Sequence, residues 1–363
     1  MSEDGELEGL RRRIDALDDE LLRLLSQRAH CAQQVAEVKR HAGDDAFYRP
    51  EREAQVLRRL AAANPGPLPD AAVTGIFREI MSACLALERP LTVAYLGPPG
   101  TFSQDATQKH FGQAVNCLPQ ATIEQVFREV DAGAADYGVV PIENSTEGAV
   151  THTLDMFLHS PLKVCGEVEL AVHQQLLGHM QDLAGIRVVY SHAQSLAQCR
   201  RWLAGHLPGV RTEAVSSNAE AARRAAGESG AAAIAGESAG RLYELPCLAA
   251  NIEDEPGNTT RFLVIGRQDT RPSGRDKTSL LLSTANRPGA LAALLEPLRR
   301  HGLSMTRIES RPARTGRWQY VFFIDIEGHI LDAPVQQALE ALREVTTLCK
   351  VLGSYPRAAG DGA

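Results

Sequence analysis

The chain has 363 residues, enough for two or three domains, with 44% hydrophobic and 23% charged residues, the balance of an ordinary soluble globular protein. A formal net charge of -7 argues against nucleic-acid binding through the overall field, and no apolar run approaches the roughly 18 residues of a membrane helix. The acidic start, Met1-Ser2-Glu3-Asp4-Gly5-Glu6, is unlike a secretory leader, and the seven scattered cysteines lack C-x-x-C spacing, so a cytoplasmic protein without a zinc site is expected.

Residues 6–89 carry the pattern of helices. Leu7, Leu10, Ile14, Leu17, Leu21, Leu24 and Leu25 recur at helical spacing, and Val35 and Val38 extend the stripe. No proline interrupts Leu7 to Ala42, which predicts one helix of about 50 Å at 1.5 Å per residue. Gly43-Asp44-Asp45 breaks it, and Pro50 sits where a first-turn proline belongs, opening a second helix to about Ala63. Asn64-Pro65-Gly66-Pro67-Leu68-Pro69 is a stop, after which Asp70 is placed to cap a third helix running to Glu88. One long and two shorter helices cannot cover that whole stripe, so a homodimer or higher homo-oligomer is expected.

The texture changes at Arg89-Pro90. Leu91–Leu96 reads as a strand, Gly97-Pro98-Pro99-Gly100-Thr101-Phe102-Ser103 as a turn, and 104–111 as a helix. Tyr137–Ile142 and Val188–Tyr190 are further buried strands between helical stretches, which predicts α/β alternation with a mainly parallel sheet to about Gly266. Residues 267–277 are polar and read as a linker. Beyond it the order is strand (Thr278–Thr284), helix (Ala290–His301), strand (Ser304–Arg311), strand (Trp318–Glu327), helix (Pro334–Val345) and strand (Lys350–Tyr355), a ferredoxin-like βαββαβ unit.

Three groups of residues carry chemistry. On the first helix, Arg28 and Lys39 are eleven residues apart, within about 20° of one face and about 16 Å along the axis, a spacing that brackets a small dianion. Arg11 points about 100° away and lies about 25 Å from Arg28, so it reaches a shared ligand only from a partner in an antiparallel dimer. With Leu10-Arg11, the Asp18–Arg28 stretch, Lys39, Arg52-Glu53, Phe77-Arg78-Glu79-Ile80-Met81 and Glu88, the whole segment resembles the all-helical chorismate mutases. The resemblance implies that Arg11 (in trans), Arg28 and Arg52 hold the two carboxylates of chorismate. It implies that Lys39 meets the ether oxygen of the breaking C–O bond and that Glu53 holds the ring hydroxyl. Two departures stand out: Glu88 where many members have glutamine, and Arg49 where some have an acidic residue. A carboxyl aimed at an ether oxygen helps only when protonated, since an ionised one only accepts hydrogen bonds. Mutase activity is therefore expected to need a proton on Glu88.

In the α/β segment, the loop 97–103 offers backbone N–H groups with the hydroxyls of Thr101 and Ser103 for an anion, but it lacks G-x-G-x-x-G and is not a dinucleotide fingerprint. Val140-Pro141-Ile142-Glu143-Asn144-Ser145 and Ser191-His192-Ala193-Gln194, with Gln198-Cys199 following, end strands with polar side chains, where open α/β sheets bind ligands. In order with Asn258-Thr259-Thr260-Arg261-Phe262, these resemble prephenate dehydratase, a family of two α/β lobes around a cleft like the bacterial solute-binding proteins. The resemblance implies Thr260 as the catalytic threonine. It puts Thr101, Ser103, Glu143, Asn144, Ser145 and Gln198 around the substrate, and the expected carboxylate anchor is Arg261. His192 is a rival acid, more readily read as structural. Neither reaction needs a metal or cofactor, and no ligand cluster suggests one.

Asn286-Arg287-Pro288-Gly289-Ala290-Leu291 and Glu309-Ser310-Arg311-Pro312 resemble the ligand motifs of the ACT domain in phenylalanine-inhibited dehydratases. The expected phenylalanine site takes Asn286, Gly289, Ala290, Leu291, Glu309, Ser310, Arg311 and Pro312. The expected plan is therefore multidomain: an all-α mutase at 1–90, a two-lobed α/β dehydratase at 91–267 and an α+β ACT domain at 277–357. Its small-molecule partners would be chorismate, prephenate and L-phenylalanine. Two other readings stay open, an arogenate-preferring dehydratase and a non-enzymatic, amino-acid-responsive regulator.

Overall fold

Glu3–His41 forms one 39-residue helix, α1, which continues through Gly9. The computed structural model describes residues 3–43, 48–285, 287–312 and 320–358. Pro50 opens the second helix, α2 (Pro50–Ala62), at its first turn, where a missing N–H costs nothing. The third, α3 (Asp70–Glu88), starts one residue earlier than a cap at Asp70 would require. Pro69 is the N-cap, and the Asp70 carboxylate instead accepts from Asn64 Nδ2 at 2.7 Å, which ties down the preceding turn.

One compact unit comprises Met1–Arg49, Val56–Leu91 and Phe111–Asn116. Within it α1 packs on α3, and the 111–116 segment joins them: Gln113 N–H donates to Glu79 Oε2 at 3.0 Å, and the Tyr48 and Phe111 rings lie 5.2 Å apart. The apolar stripe of α1 stays largely uncovered in a single chain. Ile14, Leu17, Leu21 and Leu22 are 56–65% exposed.

The second unit holds Pro50–Gln55, Thr92–His110 and the chain from Cys117 onward. In chain order its first lobe contains β1 (Thr92–Leu96), α4 (Phe102–Phe111), β2 (Asn116–Gln120), α5 (Ile123–Asp131), β3 (Tyr137–Asn144), β4 (Gly148–Ala149), α6 (Thr151–His159) and β5 (Lys163–Ala171). The second lobe contains β6 (Gln175–Leu177), a 3-10 turn at Leu183–Gly185, β7 (Val188–His192), α7 (Ala193–Gln198) and α8 (Arg200–His206). It continues through β8 (Arg211–Val215), α9 (Asn218–Gly227), β9 (Ala231–Ala235), α10 (Glu237–Leu242) and β10 (Cys247–Ala249). The chain then returns to the first sheet as β11 (Thr259–Gly266).

The sheets are mixed, not mainly parallel. In the first, ordered β2-β1-β3-β11-β5, β1 and β3 are parallel while β11 runs antiparallel to both neighbours. In the second, ordered β10-β6-β9-β7-β8, β7 is parallel to β8 and β9, and β6 and β10 are antiparallel. Apart from the short β4, which pairs antiparallel with β3, the antiparallel strands are those next to the two crossings between lobes, and a chain that returns must reverse its direction.

The last part is the expected βαββαβ unit: β12 (Asp276–Ser283), α11 (Ala290–Arg300), β13 (Met305–Pro312), β14 (Tyr320–Glu327), α12 (Ala333–Val345) and β15 (Leu348–Pro356). Its antiparallel sheet has the order β13-β14-β12-β15. Leu280 and Leu282 face its own helices with Leu294, Leu298 and Leu339. Leu281, Phe323, Leu352 and Tyr355 instead join Phe127, Phe157 and Val164 of the first lobe in one core. Both faces are therefore covered, and all eight residues of β12 are buried. The close approach depends on Gly353, since a Cβ there would collide with the Val164 carbonyl. Residues 267–275 are not a loose tether. Thr270 and Ser273 are buried, with Thr270 Oγ1 donating to the Ser354 carbonyl and its own carbonyl 3.1 Å from His329 Nε2.

Candidate active sites

Arg11 on α1 is exposed, and Arg28 and Lys39 are half-buried on the same helix. Glu88, in the last turn of α3, has a buried Oε2 with no hydrogen-bond partner. Burial holds this carboxyl above its ordinary pKa, while the charges of Lys39 and Arg40 pull it down less strongly. The net shift is upward, toward the protonated form. Arg52 and Glu53 occupy the first turn of α2, Arg52 exposed and Glu53 half-buried. Arg49 is the N-cap of that helix.

In the α/β part, the end of β3 and the start of β11 are cross-strand partners, Thr260 opposite Asn144 and Arg261 opposite Glu143. Asn144 Nδ2 donates to Thr260 Oγ1 and to Asn258 Oδ1, each at 2.8 Å. Ser145 Oγ donates to Asn258 Oδ1 at 3.3 Å, and Asn258 Nδ2 donates to Gln198 Oε1 at 3.2 Å. Gln198 Oε1 also accepts from Gln174 Nε2 at 3.4 Å, and Gln174 reaches Ser195 Oγ at 3.2 Å. One chain of hydrogen bonds thus runs from the first lobe into the second. A cleft of about 310 Å³ opens beside it, lined by Thr146, Gln198, Arg201, Asp254, Asn258 and their neighbours.

The structure therefore brings Asn144, Ser145, Gln198 and Thr260 together. Thr260 accepts from Asn144, which leaves its own O–H to donate. Asn258 and Gln174, 6% and 1% exposed, belong to the same network. Asn258 had a signal in its place before Thr259-Thr260. Gln174 follows β5 with no motif around it, and only the crossing between lobes brings it here.

Four expectations change. The Thr101 hydroxyl donates to the Leu96 and Pro98 carbonyls, and Gly100 N–H donates to Gln104 Oε1 at 2.7 Å. The Thr101 hydroxyl and the Gly100 N–H are thus engaged by neighbouring groups instead of being presented to an anion. Ser103 is 7% exposed, with its carbonyl accepting from Thr107 Oγ1, so it is packed inside α4. Arg261 does not face the Thr260 cluster, because successive side chains on a strand point to opposite faces. Its guanidinium is held by Glu167 (2.8 Å), Asp325 (2.7 Å) and the Tyr355 hydroxyl (3.0 Å). Burial opposes that charge, but Tyr355, Asp325 and Glu167 more than offset it and raise the arginine's pKa. Glu143 shares that face and accepts from Arg307 Nε at 2.8 Å.

His192 Nδ1 accepts from Gln194 N–H at 3.4 Å and caps α7, the structural role. Cys199 is buried, and burial pushes its thiol up to about 12, which removes it as a nucleophile near neutral pH.

In the last domain, Gly289 has φ +78° and is the N-cap of α11, a conformation that favours glycine. Ala290 and Leu291 follow in its first turn, Leu291 41% exposed. Glu309, Ser310, Arg311 and Pro312 lie on β13, at the sheet edge. Arg311 Nη2 donates to Asp155 Oδ1 of α6 at 3.0 Å, so its guanidinium faces the first lobe and not an open ligand site. Asn286 lies outside the described residues. No helix among the described residues is long and apolar enough to cross a membrane.

Three family models match in order along the chain: chorismate mutase type II at residues 10–89, prephenate dehydratase at 93–270 and the ACT domain at 278–344. A bifunctional chorismate mutase/prephenate dehydratase of Pseudomonas aeruginosa is 54% identical over 363 residues, covering 99% of this chain and all of the relative. The one from Neisseria gonorrhoeae is 53% identical, covering 96% of each. Among solved structures, the prephenate dehydratase of Arthrobacter aurescens in complex with L-Phe superposes with a TM-score of 0.69 at 34% identity. That match covers 75% of this chain and 92% of that one. Full-length likeness, together with three domains in the same order, shows that this chain belongs to the bifunctional chorismate mutase/prephenate dehydratase family.

Proposed function

We propose that the chain converts chorismate to prephenate at 1–90 and prephenate to phenylpyruvate at 91–267, and that phenylalanine binding at 277–357 inhibits it. The observation that carries the dehydratase assignment is the Asn144–Thr260 pair in a hydrogen-bond network beside a cleft. In the mutase step one C–O bond breaks and one C–C bond forms, so no covalent partner is needed. Lys39 and a protonated Glu88 donate to the ether oxygen as charge grows there. Arg28 and the partner's Arg11 hold carboxylates. Arg52 and Glu53 on α2 keep the roles that the resemblance implies, for a carboxylate and for the ring hydroxyl. The exposed leucine stripe of α1 supports a homodimer.

In the dehydratase step, the electron pair of the bond to the departing CO₂ flows into the ring and expels the ring hydroxyl. Thr260 O–H hydrogen-bonds to that leaving oxygen as negative charge grows on it, the oxygen departs as hydroxide that takes its proton from solvent to become water, and Asn144 holds the threonine in place. Ser145 and Gln198 orient the substrate. Gly289, Ala290 and Leu291 at the start of α11, with Glu309, Ser310 and Pro312 on the exposed edge strand, support a phenylalanine site completed by a second copy. We further propose that the protein works in the cytoplasm.

The test is to supply chorismate to the purified protein and follow phenylpyruvate, with and without phenylalanine. Phenylpyruvate that falls on adding phenylalanine is the expected result. Prephenate accumulating alone would point to arogenate as the dehydratase substrate, and unconsumed chorismate would overturn the reading in favour of a regulator.

A further inference from the structure

The rung of the β3–β11 ladder that carries Thr260 and Asn144 is followed by the rung that carries Arg261 and Glu143. The first rung belongs to the hydrogen-bond network beside the cleft. The second is gripped from the opposite face by the regulatory sheet: Asp325 of β14 holds Arg261 at 2.7 Å, and Arg307 of β13 holds Glu143 at 2.8 Å. The Arg307 side chain is 9% exposed, and its Nη2 is buried without a partner, so this arginine is not a solvated surface group. Buried polar atoms are rarely left without a partner, so the surrounding packing, and not solvent, sets the place of this guanidinium.

We propose that Arg307, with Asp325 beside it, is a positioning residue for the dehydratase. The two ion pairs hold the ends of β3 and β11 in the register that sets Asn144 against Thr260. The dehydratase step therefore needs the regulatory sheet seated on the catalytic lobe even with no effector present. The same contacts give effector binding a direct route to the site, since a shift of β13 and β14 pulls on the rung adjoining Thr260. Adjacent residues of one strand cannot move independently. A small misplacement of a reacting group is enough, since displacement of about 1 Å costs about 100-fold in rate.

This proposal rests on the assignment of Thr260 and Asn144 to the dehydratase. The test uses the full-length chain without phenylalanine and compares wild type, Arg307→Met, Arg307→Lys, Glu143→Gln and the Arg307→Met/Glu143→Gln double variant. Dehydratase kcat and KM, mutase rate and melting temperature are read on each. Arg307→Met should lower dehydratase kcat roughly 10- to 100-fold with little change in KM, mutase rate or melting temperature. Arg307→Lys, which keeps the charge, should recover most of the loss. The double variant should be no slower than the slower single, as residues acting through one contact are not additive. Full kcat in Arg307→Met would overturn the proposal, as would losses that multiply in the double variant or that only follow early melting. A wild-type chain that leaves prephenate untouched would remove the dehydratase assignment itself, a separate failure.

Discussion

The side-chain amide of Asn144 donates to the hydroxyl of Thr260 at 2.8 Å across the β3–β11 ladder. That bond commits one of the threonine's lone pairs and leaves its O–H to donate. Thr260→Ala should lower dehydratase activity by roughly 100-fold or more while the mutase rate is unchanged, as for loss of one preorganised donor. Thr260→Ser, which retains the hydroxyl, should keep a measurable fraction. Phenylpyruvate formation from prephenate, with prephenate formation from chorismate as the internal control, checks both.

The proposed role of Glu88 predicts the pH dependence of the mutase. Its carboxyl is raised above the ordinary value chiefly by burial, so the folded protein holds the proton more tightly than the unfolded chain does. The stability that follows from this is fully present below the ordinary carboxylate pKa and is lost as pH rises through the raised value. Mutase kcat/KM should fall in the same direction. Glu88→Gln, a neutral donor at every pH, should flatten the profile, and Glu88→Ala should lower the rate at all pH. An unchanged pH profile in Glu88→Gln would remove the carboxyl from the mechanism.

Arg11 and Arg28 are seventeen residues apart on one straight helix, about 25 Å, and cannot share a small substrate within one chain. If Arg11 acts in trans, mixing inactive Arg11→Ala and Arg28→Ala chains should restore mutase activity. A random mixture of dimers should reach about a quarter of the wild-type level, because half the dimers are mixed and each has one intact site. Leu21→Glu on the exposed stripe should give a monomer by sedimentation and abolish the mutase.

Arg261 and Asp325 form a buried ion pair, 12% and 7% exposed. Asp325→Ala should destabilise the fold by about 3–5 kcal/mol, because it leaves a buried guanidinium short of a partner. Denaturant melts monitored on the second unit measure this directly.

Phenylalanine should raise the melting temperature, by a stabilisation of about 2.7 kcal/mol at 100 times its dissociation constant. Gly289→Ala forces a side chain into the φ +78° conformation and should weaken that shift. Calorimetry with and without the amino acid separates the two.

Much of this was set by the sequence alone. The three helices, the βαββαβ order and the pairing of motifs with strand ends were legible because periodicity and turn residues act locally. Lys39, Glu88, Asn144 and Thr260 could be singled out because the segments around them resemble two known families; the spacing alone marks none of them. What only the tertiary structure decided is which way the side chains face and what covers them. Thr260 and Arg261 are neighbours in sequence, yet one meets Asn144 and the other meets Glu167 and Asp325, since strand alternation sends them to opposite faces. Nothing in residues 267–277 announced that the regulatory sheet would be packed hard against the first lobe. Five of the eight residues of β12 are polar, and only the second covered face, with Lys277 on Glu167 at 2.8 Å, tells that the strand lies between two layers. Long-range contacts of this kind depend on surfaces meeting that lie far apart in the chain, and local pattern carries no record of them.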